Sequence, residues 1–239
     1  MKTLLILHGW GSCAKNWGRV KELLENQGCK VYVPDLPGFG ENPPPQKPWS
    51  IDDYVDWLKQ YIDNLSQISG AIFEPFFLLG HSFGGAIAVK FSIKYPKKIQ
   101  KLFLVDSIAI RRKTFKKEII KKISNILKKF SFLPFYQFLR KTFYKLIVRK
   151  SDYLATQGIM RETYLMVINK DLSGYLSDIS VPTVIIWGEK DELTPLKDAY
   201  LIKEKISNST LEILPRINHN PHSEAPEILV EKILNFIKR

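Results

Sequence analysis

Phe76-Phe77-Leu78-Leu79-Gly80-His81-Ser82-Phe83-Gly84 is the stretch on which the fold turns. Residues 76–79 form a wholly apolar run of strand length, and residues 85–95 read as a helix. Between them lies a G-x-S-x-G pattern centred on Ser82, which in a strand-turn-helix setting is a nucleophile elbow. The turn is so tight that small residues must flank the serine, and it pushes the Oγ into the open at the carboxyl edge of the sheet. The helix that follows aims its first amides and positive dipole end at the same spot, where negative charge would develop. A glycine-rich turn with an incidental serine is the competing reading, and the flanking strand and helix weigh against it.

Five more apolar runs, at residues 3–7, 30–34, 102–105, 183–187 and 211–214, alternate with helical patterns. That rhythm predicts a parallel α/β sheet, and the near-continuous hydrophobicity of the runs fits strands covered on both faces. Ile51, Tyr54, Leu58, Tyr61, Ile62 and Leu65 make a helical stripe, with Ser50 and Asp53 placed as a capping pair. The last helix carries Ile228, Leu229, Ile233, Leu234 and Ile237, with Pro226 in its first turn and Ser223 as its expected cap. Pro43-Pro44-Pro45 and Pro48 make the preceding stretch a loop.

The rhythm lapses over residues 107–173. There Phe115, Ile119, Ile123, Ile126, Leu127 and Phe130 follow a helical period, and a second stripe runs from Phe135 through Leu139 and Phe143 to Ile147. Residues 1–106 and 174–239 are therefore read as a core and 107–173 as an all-helical insert. The insert holds 16 Lys/Arg against 4 Asp/Glu, a balance of +12, and the rest of the chain holds 20 of each. A neutral body carries a strongly basic insert, which bears on partners and solubility rather than on fold.

At 239 residues, 45% apolar, 12% aromatic and 25% charged, the chain can bury a full core and is not disordered. No apolar run reaches the roughly 18–20 residues needed to span a bilayer, and residues 1–7 lack the features of a secretory signal. Two cysteines, Cys13 and Cys29, exclude a disulfide scaffold and make a reducing cytoplasm the expected location. Neither a zinc-type Cys/His spacing nor a phosphate loop occurs, so no metal and no organic cofactor is expected.

A serine nucleophile needs a base, and the base needs an orienting acid. Of the four histidines, His81 lies inside the elbow and His8 ends the first strand, where it packs or hydrogen-bonds beneath the site. His219 sits in the loop after the last strand and is placed as the base, with His222 as a structural residue behind it. Asp191, in the loop after residues 183–187, is placed as the acid. Asp106, after residues 102–105, ranks second, and a plain helix-capping role for Asp191 is the competing assignment. Oxyanion donors are expected from the backbone N–H of Phe83, right after the nucleophile, and of Trp10, in the His8-Gly9-Trp10-Gly11 loop. The Trp10 side chain, Leu193, and Phe135 and Phe143 from the insert are candidates for the acyl pocket.

Taken together, His8-Gly9-Trp10-Gly11, Asp35-Leu36-Pro37-Gly38-Phe39-Gly40, Gly80-His81-Ser82-Phe83-Gly84-Gly85, Trp187-Gly188-Glu189-Lys190-Asp191 and His219-Asn220-Pro221-His222 resemble the α/β-hydrolase fold. Within it they resemble the lidded serine carboxylesterases of the pimeloyl-carrier methyl-ester type. The resemblance covers nearly the whole chain outside the insert. It implies a Ser82–His219–Asp191 triad, an oxyanion hole from Trp10 and Phe83, and a helical lid where residues 107–173 fall. Only seven residues precede His8, so a six-stranded, mainly parallel sheet is expected. It would lack the family's first two strands and carry the lid between the fourth and fifth strands present.

Serine at the elbow disfavours the dehalogenases and epoxide hydrolases of this fold, which use aspartate there. The expected activity is hydrolysis of carboxylic esters with small or medium acyl groups through an acyl-enzyme. Lactone, thioester and carbon–carbon bond hydrolysis stay open, as does a non-catalytic binding protein that uses the basic insert. The insert is either a plain lysine-rich exterior or a docking surface for an acidic carrier protein or an anionic membrane. Nucleic acid is not expected, since no recognised binding module accompanies the charge.

Overall fold

Along each strand of the sheet, successive side chains point to opposite faces, and here both faces are covered. Leu5, Leu7, Leu78, Leu104 and Ile185 enter one core cluster, whereas Leu4, Ile6, Leu79, Phe103 and Ile186 enter a second. The strands are β1 (Lys2–Leu7), β2 (Cys29–Tyr32), β3 (Phe76–His81), β4 (Ile99–Val105), β5 (Thr183–Gly188) and β6 (Ser209–Leu214). The computed structural model describes residues 2–69, 75–111 and 156–238. All five strand pairings are parallel, in the order β2-β1-β3-β4-β5-β6. The expected six-stranded parallel sheet is present, although β2 stops at Tyr32, short of the expected end at Pro34, where a residue without an N–H cannot extend the ladder.

The helices are α1 (Gly18–Glu25), α2 (Ile51–Ser69), α3 (Phe83–Lys94), α4 (Gly158–Ile168), α5 (Leu196–Lys205), the single turn α6 (Pro221–Glu224), and α7 (Pro226–Ile237). Leu58 of α2, Ile87 and Phe91 of α3 and Ile202 of α5 cover the first face. Val20 and Leu24 of α1 and Leu229 and Ile233 of α7 cover the second. The Ser50–Asp53 pair caps α2: the Ser50 N–H and Oγ–H donate to Asp53 Oδ2 at 2.7 and 2.6 Å, and the Asp53 N–H returns to Ser50 Oγ at 3.3 Å. Ser223 does not cap α7. It lies inside α6, because Asn220-Pro221 starts its own helical turn, and Ala225 holds the cap position of α7 without a side-chain bond.

Residues 107–173 fall between β4 and β5 as expected. The two ends of this stretch are joined: the Leu172 N–H donates to the Ala109 carbonyl at 3.0 Å, and the Arg111 N–H to Asp171 Oδ1 at 3.0 Å. The Arg111 guanidinium donates to Asn169 Oδ1 at 3.0 Å and to the Ile168 carbonyl. Residues 112–155, with both predicted helical stripes and with Phe135 and Phe143, lie outside the described residues. No helix among the described residues is long and apolar enough to cross a membrane.

Strand order reverses between β1 and β3. At such a switch point the loops leaving neighbouring strands part in opposite directions and open a crevice beyond their carboxyl ends. The loop after β1 and the turn after β3 both open there.

Candidate active site

Ser82 stands at the turn between β3 and α3 with φ 51° and ψ −114°, a left-handed conformation rare for a residue with a side chain. Sterics hold it there. A Cβ at Gly80 would run into the backbone of Gly84, and one at Gly84 into the carbonyl of Leu7, so α3 can leave the sheet this sharply only with glycine at both places. The Ser82 N–H donates to the Val105 carbonyl at 3.0 Å, which anchors the turn to β4.

The structure brings Ser82, His219 and Asp191 together. The Ser82 hydroxyl lies 2.9 Å from His219 Nε2, and His219 Nδ1–H donates to Asp191 Oδ2 at 2.7 Å. Asp191 Oδ1 accepts the N–H groups of Leu193 and Thr194 at 2.7 and 2.9 Å, and Oδ2 accepts the Thr194 hydroxyl at 2.5 Å. Burial alone would raise the Asp191 carboxyl. The His219 hydrogen bond and charge, with the Thr194 donors, outweigh that and hold it below the usual carboxylate range. Asp191 is therefore an anion that fixes the Nδ1–H tautomer of His219 and leaves Nε2 facing the serine.

The remaining histidines frame this relay. His81 Nε2–H donates to the His219 carbonyl at 2.8 Å, clamping the loop that carries the base. Burial first, then the proximity of His219 and His222, keeps His81 well below its ordinary value and neutral. His222 stacks on Trp17 at 4.4 Å between centroids, and burial lowers it to about 4. His8 accepts the Leu36 N–H at Nε2 (3.0 Å) and donates from Nδ1 to the Gly9 carbonyl at 2.8 Å, beneath the site as expected. Asp106, the rival acid, is fully buried and accepts the Gly188 N–H at 2.8 Å; its carboxyl is not the one bonded to His219.

A Cβ built on Gly9 would come within 3.2 Å of Ser82 Cβ and 3.0 Å of His81 Nδ1, so the loop after β1 lies directly on the elbow. Among the described residues, neither the Trp10 nor the Phe83 backbone N–H meets a hydrogen-bond acceptor. The Trp10 ring packs edge-on against Phe39 (4.8 Å), Phe83 (5.3 Å) and, from α4, Tyr164 (5.1 Å). Met160 of the same helix abuts Gly38, and Thr163 accepts the Trp49 N–H at 3.0 Å. Leu193 gives its N–H to Asp191, while 63% of the residue is exposed. No group of three or more metal-ligating side chains is assembled among the described residues.

Three contributors escaped the sequence reading: the Thr194 hydroxyl, the His81 clamp and Tyr164. Only the first had a local signal, since Asp191-Glu192-Leu193-Thr194 places a hydroxyl and two amides where an aspartate closes a turn on itself.

Comparison with known proteins agrees with this geometry. Residues 1–226 match the family described as serine aminopeptidase, S33 (Hydrolase_4). The chain belongs to this hydrolase family. As a Hydrolase_4 member it is similar to Lipase 1 of Psychrobacter immobilis, at 28% identity over 93% of this chain and 72% of that protein. It is also similar to the pimeloyl-[acyl-carrier protein] methyl ester esterase of Wigglesworthia glossinidia brevipalpis, at 28% identity over 99% and 93% of the two chains. Among solved structures, an esterase from Exiguobacterium antarcticum superposes with a TM-score of 0.76, covering 100% of this chain and 92% of that one at 23% identity. That likeness speaks for the α/β-hydrolase fold alone. Hydrolase chemistry follows for this Hydrolase_4 chain from the family, and the relatives named above are a lipase and an esterase.

Proposed function

We propose that this protein is a serine carboxylesterase acting on esters with small or medium acyl groups. The observation that carries the reading is the unbroken relay from Ser82 Oγ through His219 to Asp191, at 2.9 and 2.7 Å, beside two backbone N–H groups that meet no acceptor among the described residues. Ser82 attacks the ester carbonyl as His219 Nε2 takes its proton, and Asp191 stabilises the imidazolium. The Trp10 and Phe83 amides receive the oxyanion, where donors aimed at developing charge are worth most. His219 hands the proton to the departing alcohol, then activates the water that frees the acid. Trp10, Phe39, Phe83 and Tyr164 offer an aromatic wall suited to a short acyl chain. Phe135, Phe143 and Leu193 remain candidates for its far end.

Hydrolysis of p-nitrophenyl acetate, butyrate and octanoate by wild type and Ser82→Ala tests this, and undiminished turnover by the variant overturns it. A panel with a lactone, a thioester, a vinylogous 1,5-diketone and an aminoacyl anilide separates the neighbouring chemistries. A fluorophosphonate probe separates all of them from a non-catalytic binding protein, since only an activated serine is labelled.

The charge of residues 107–173 favours one addition: the basic insert docks an acidic carrier protein bearing the acyl group. The printed name of the Wigglesworthia relative, an esterase of a carrier-bound methyl ester, supports this over an anionic membrane. Carrier binding should weaken steeply with salt, whereas binding to anionic vesicles alone would favour the membrane. A cytoplasmic location accords with Cys13 and Cys29 as free thiols.

A further inference from the structure

Two buried carboxyl side chains, not one, stand at the carboxyl ends of β4 and β5. Asp191 collects four donors: His219 Nδ1–H, the Thr194 hydroxyl, and the N–H groups of Leu193 and Thr194. Asp106, directly after β4, collects one, the Gly188 N–H at 2.8 Å on its Oδ1. Its Oδ2 is buried with no donor, and besides burial the Asp191 carboxylate raises the Asp106 carboxyl both by its charge and as a hydrogen-bond partner. The residue cannot swing away. It is fully buried, held at φ 44°, and tied by its N–H to the Ile186 carbonyl at 3.1 Å. The Thr194 hydroxyl that serves Asp191 lies 3.2 Å from the Asp106 carbonyl oxygen, joining the two residues a second time.

Two buried carboxyls this close cannot both ionise, because no water screens the repulsion. The group with more donors keeps the charge. We infer that Asp106 is a neutral carboxylic acid whose O–H donates from Oδ2 to the Asp191 carboxylate, making it a positioning residue that steadies Asp191 for His219. This role rests on the esterase reading above. A hydrogen bond from a neutral acid to a carboxylate is short and strong, and it gives the otherwise orphaned Oδ2 a partner. Burial pushes the Asp106 carboxyl up to about 9, aided by the charges of Asp191 and Glu224 and opposed by the Gly188 N–H.

The titratable groups around Asp106 are Asp191 from the loop after β5, with His219 bonded to it, and Glu224 of α6. On the other flank is His81, at the end of β3 opposite Val105 and held neutral by burial. Above about pH 9 the Asp106 proton leaves for solvent. Asp191 then faces a second charge in place of a donor, and His219 loses its fixed partner.

The test compares wild type, Asp106→Asn and Asp106→Ala. Asn keeps an acceptor for Gly188 and an N–H donor for Asp191, so its kcat on p-nitrophenyl butyrate at pH 7.5 should stay within about threefold of wild type. Ala should lose about tenfold or more in kcat with KM nearly unchanged. The wild-type decline of kcat/KM above about pH 9 should be absent from Asp106→Asn. The unfolded chain ionises Asp106 near its ordinary value while the native chain does not. The Tm of Asp106→Asn should therefore gain on wild type by several degrees from pH 5 to 8.

Asn losing as much as Ala, or a Tm gap constant across pH, overturns the proposal. If Asp106→Ala does not fold, the Asn profile and the Tm series decide. If wild type hydrolyses no ester and takes no fluorophosphonate label, the esterase reading fails on its own, and the Tm series still decides whether Asp106 carries the proton.

Discussion

The serine side of the site and its acid–base side are built by different forces. At the elbow, between β3 and α3, sterics do the work. Ser82 is held in a left-handed conformation by a turn that glycine alone can pass, at Gly80 and Gly84. The loops after β5 and β6 also meet at a glycine, where a Cβ on Gly188 would run into the Asn218 carbonyl, but that close approach sets the backbone and not the two side chains. His219 and Asp191 are placed by hydrogen bonds from Thr194, Leu193 and His81, and each bond joins groups with conformational freedom of their own. A steric device fails by unfolding, whereas a hydrogen-bonded device fails by losing rate. The two sides should therefore respond differently to mutation.

The largest expected effect lies on the acid–base side. Asp191→Asn should keep the fold and lower kcat by about 10³–10⁴-fold, since the amide cannot fix the same imidazole tautomer. Stopped assays with matched melting curves check both halves of that statement, and a large fall in Tm would erase the contrast between the two sides. Gly84→Ala comes next and should act the other way. Its Cβ enters the Leu7 carbonyl, so about 2–4 kcal/mol of stability should go, read by denaturant unfolding, and activity should fall only with the folded fraction.

His81→Phe sharpens the comparison because His81 belongs to the elbow yet serves the other side through the His219 carbonyl. About a tenfold loss of kcat is expected, near 1.4 kcal/mol, with KM little changed; a fall in Tm without a kcat effect would make His81 a packing residue alone. The last prediction concerns pH and stability rather than rate. His222 is lowered from 6.5 to about 4 by burial, so as pH falls from 6.5 the unfolded chain takes a proton that the native chain refuses. Its contribution to stability is complete above pH 6.5 and is lost progressively down to about 4. His222→Phe keeps the stack on Trp17 and removes the titration, so its Tm should decline less than wild type over that window. Parallel Tm curves would contradict the assignment.

The same division governs what could be read in advance. The strands, the elbow, the Ser50–Asp53 cap and the loop positions of Asp191 and His219 were legible because each leaves a local trace: an apolar run, a small-residue turn, a polar pair at helix spacing. Ser223 misled because a cap residue also reads well inside a short turn, and here the Asn220-Pro221 pair starts α6 first. Nothing local marked His81 as the clamp on His219, since 138 residues separate the bonded pair. Tyr164 likewise meets Trp10 only once α4 returns over the switch point.

Sequence alone determined the sheet, the serine and the three residue types of the relay, because alternation and steric exclusion act between near neighbours. Tertiary structure alone decided which carboxyl bears the charge. Asp106 and Asp191 are the same residue type at the ends of adjacent strands, and only the count of donors and the depth of burial around each one, both set by distant segments, tells them apart.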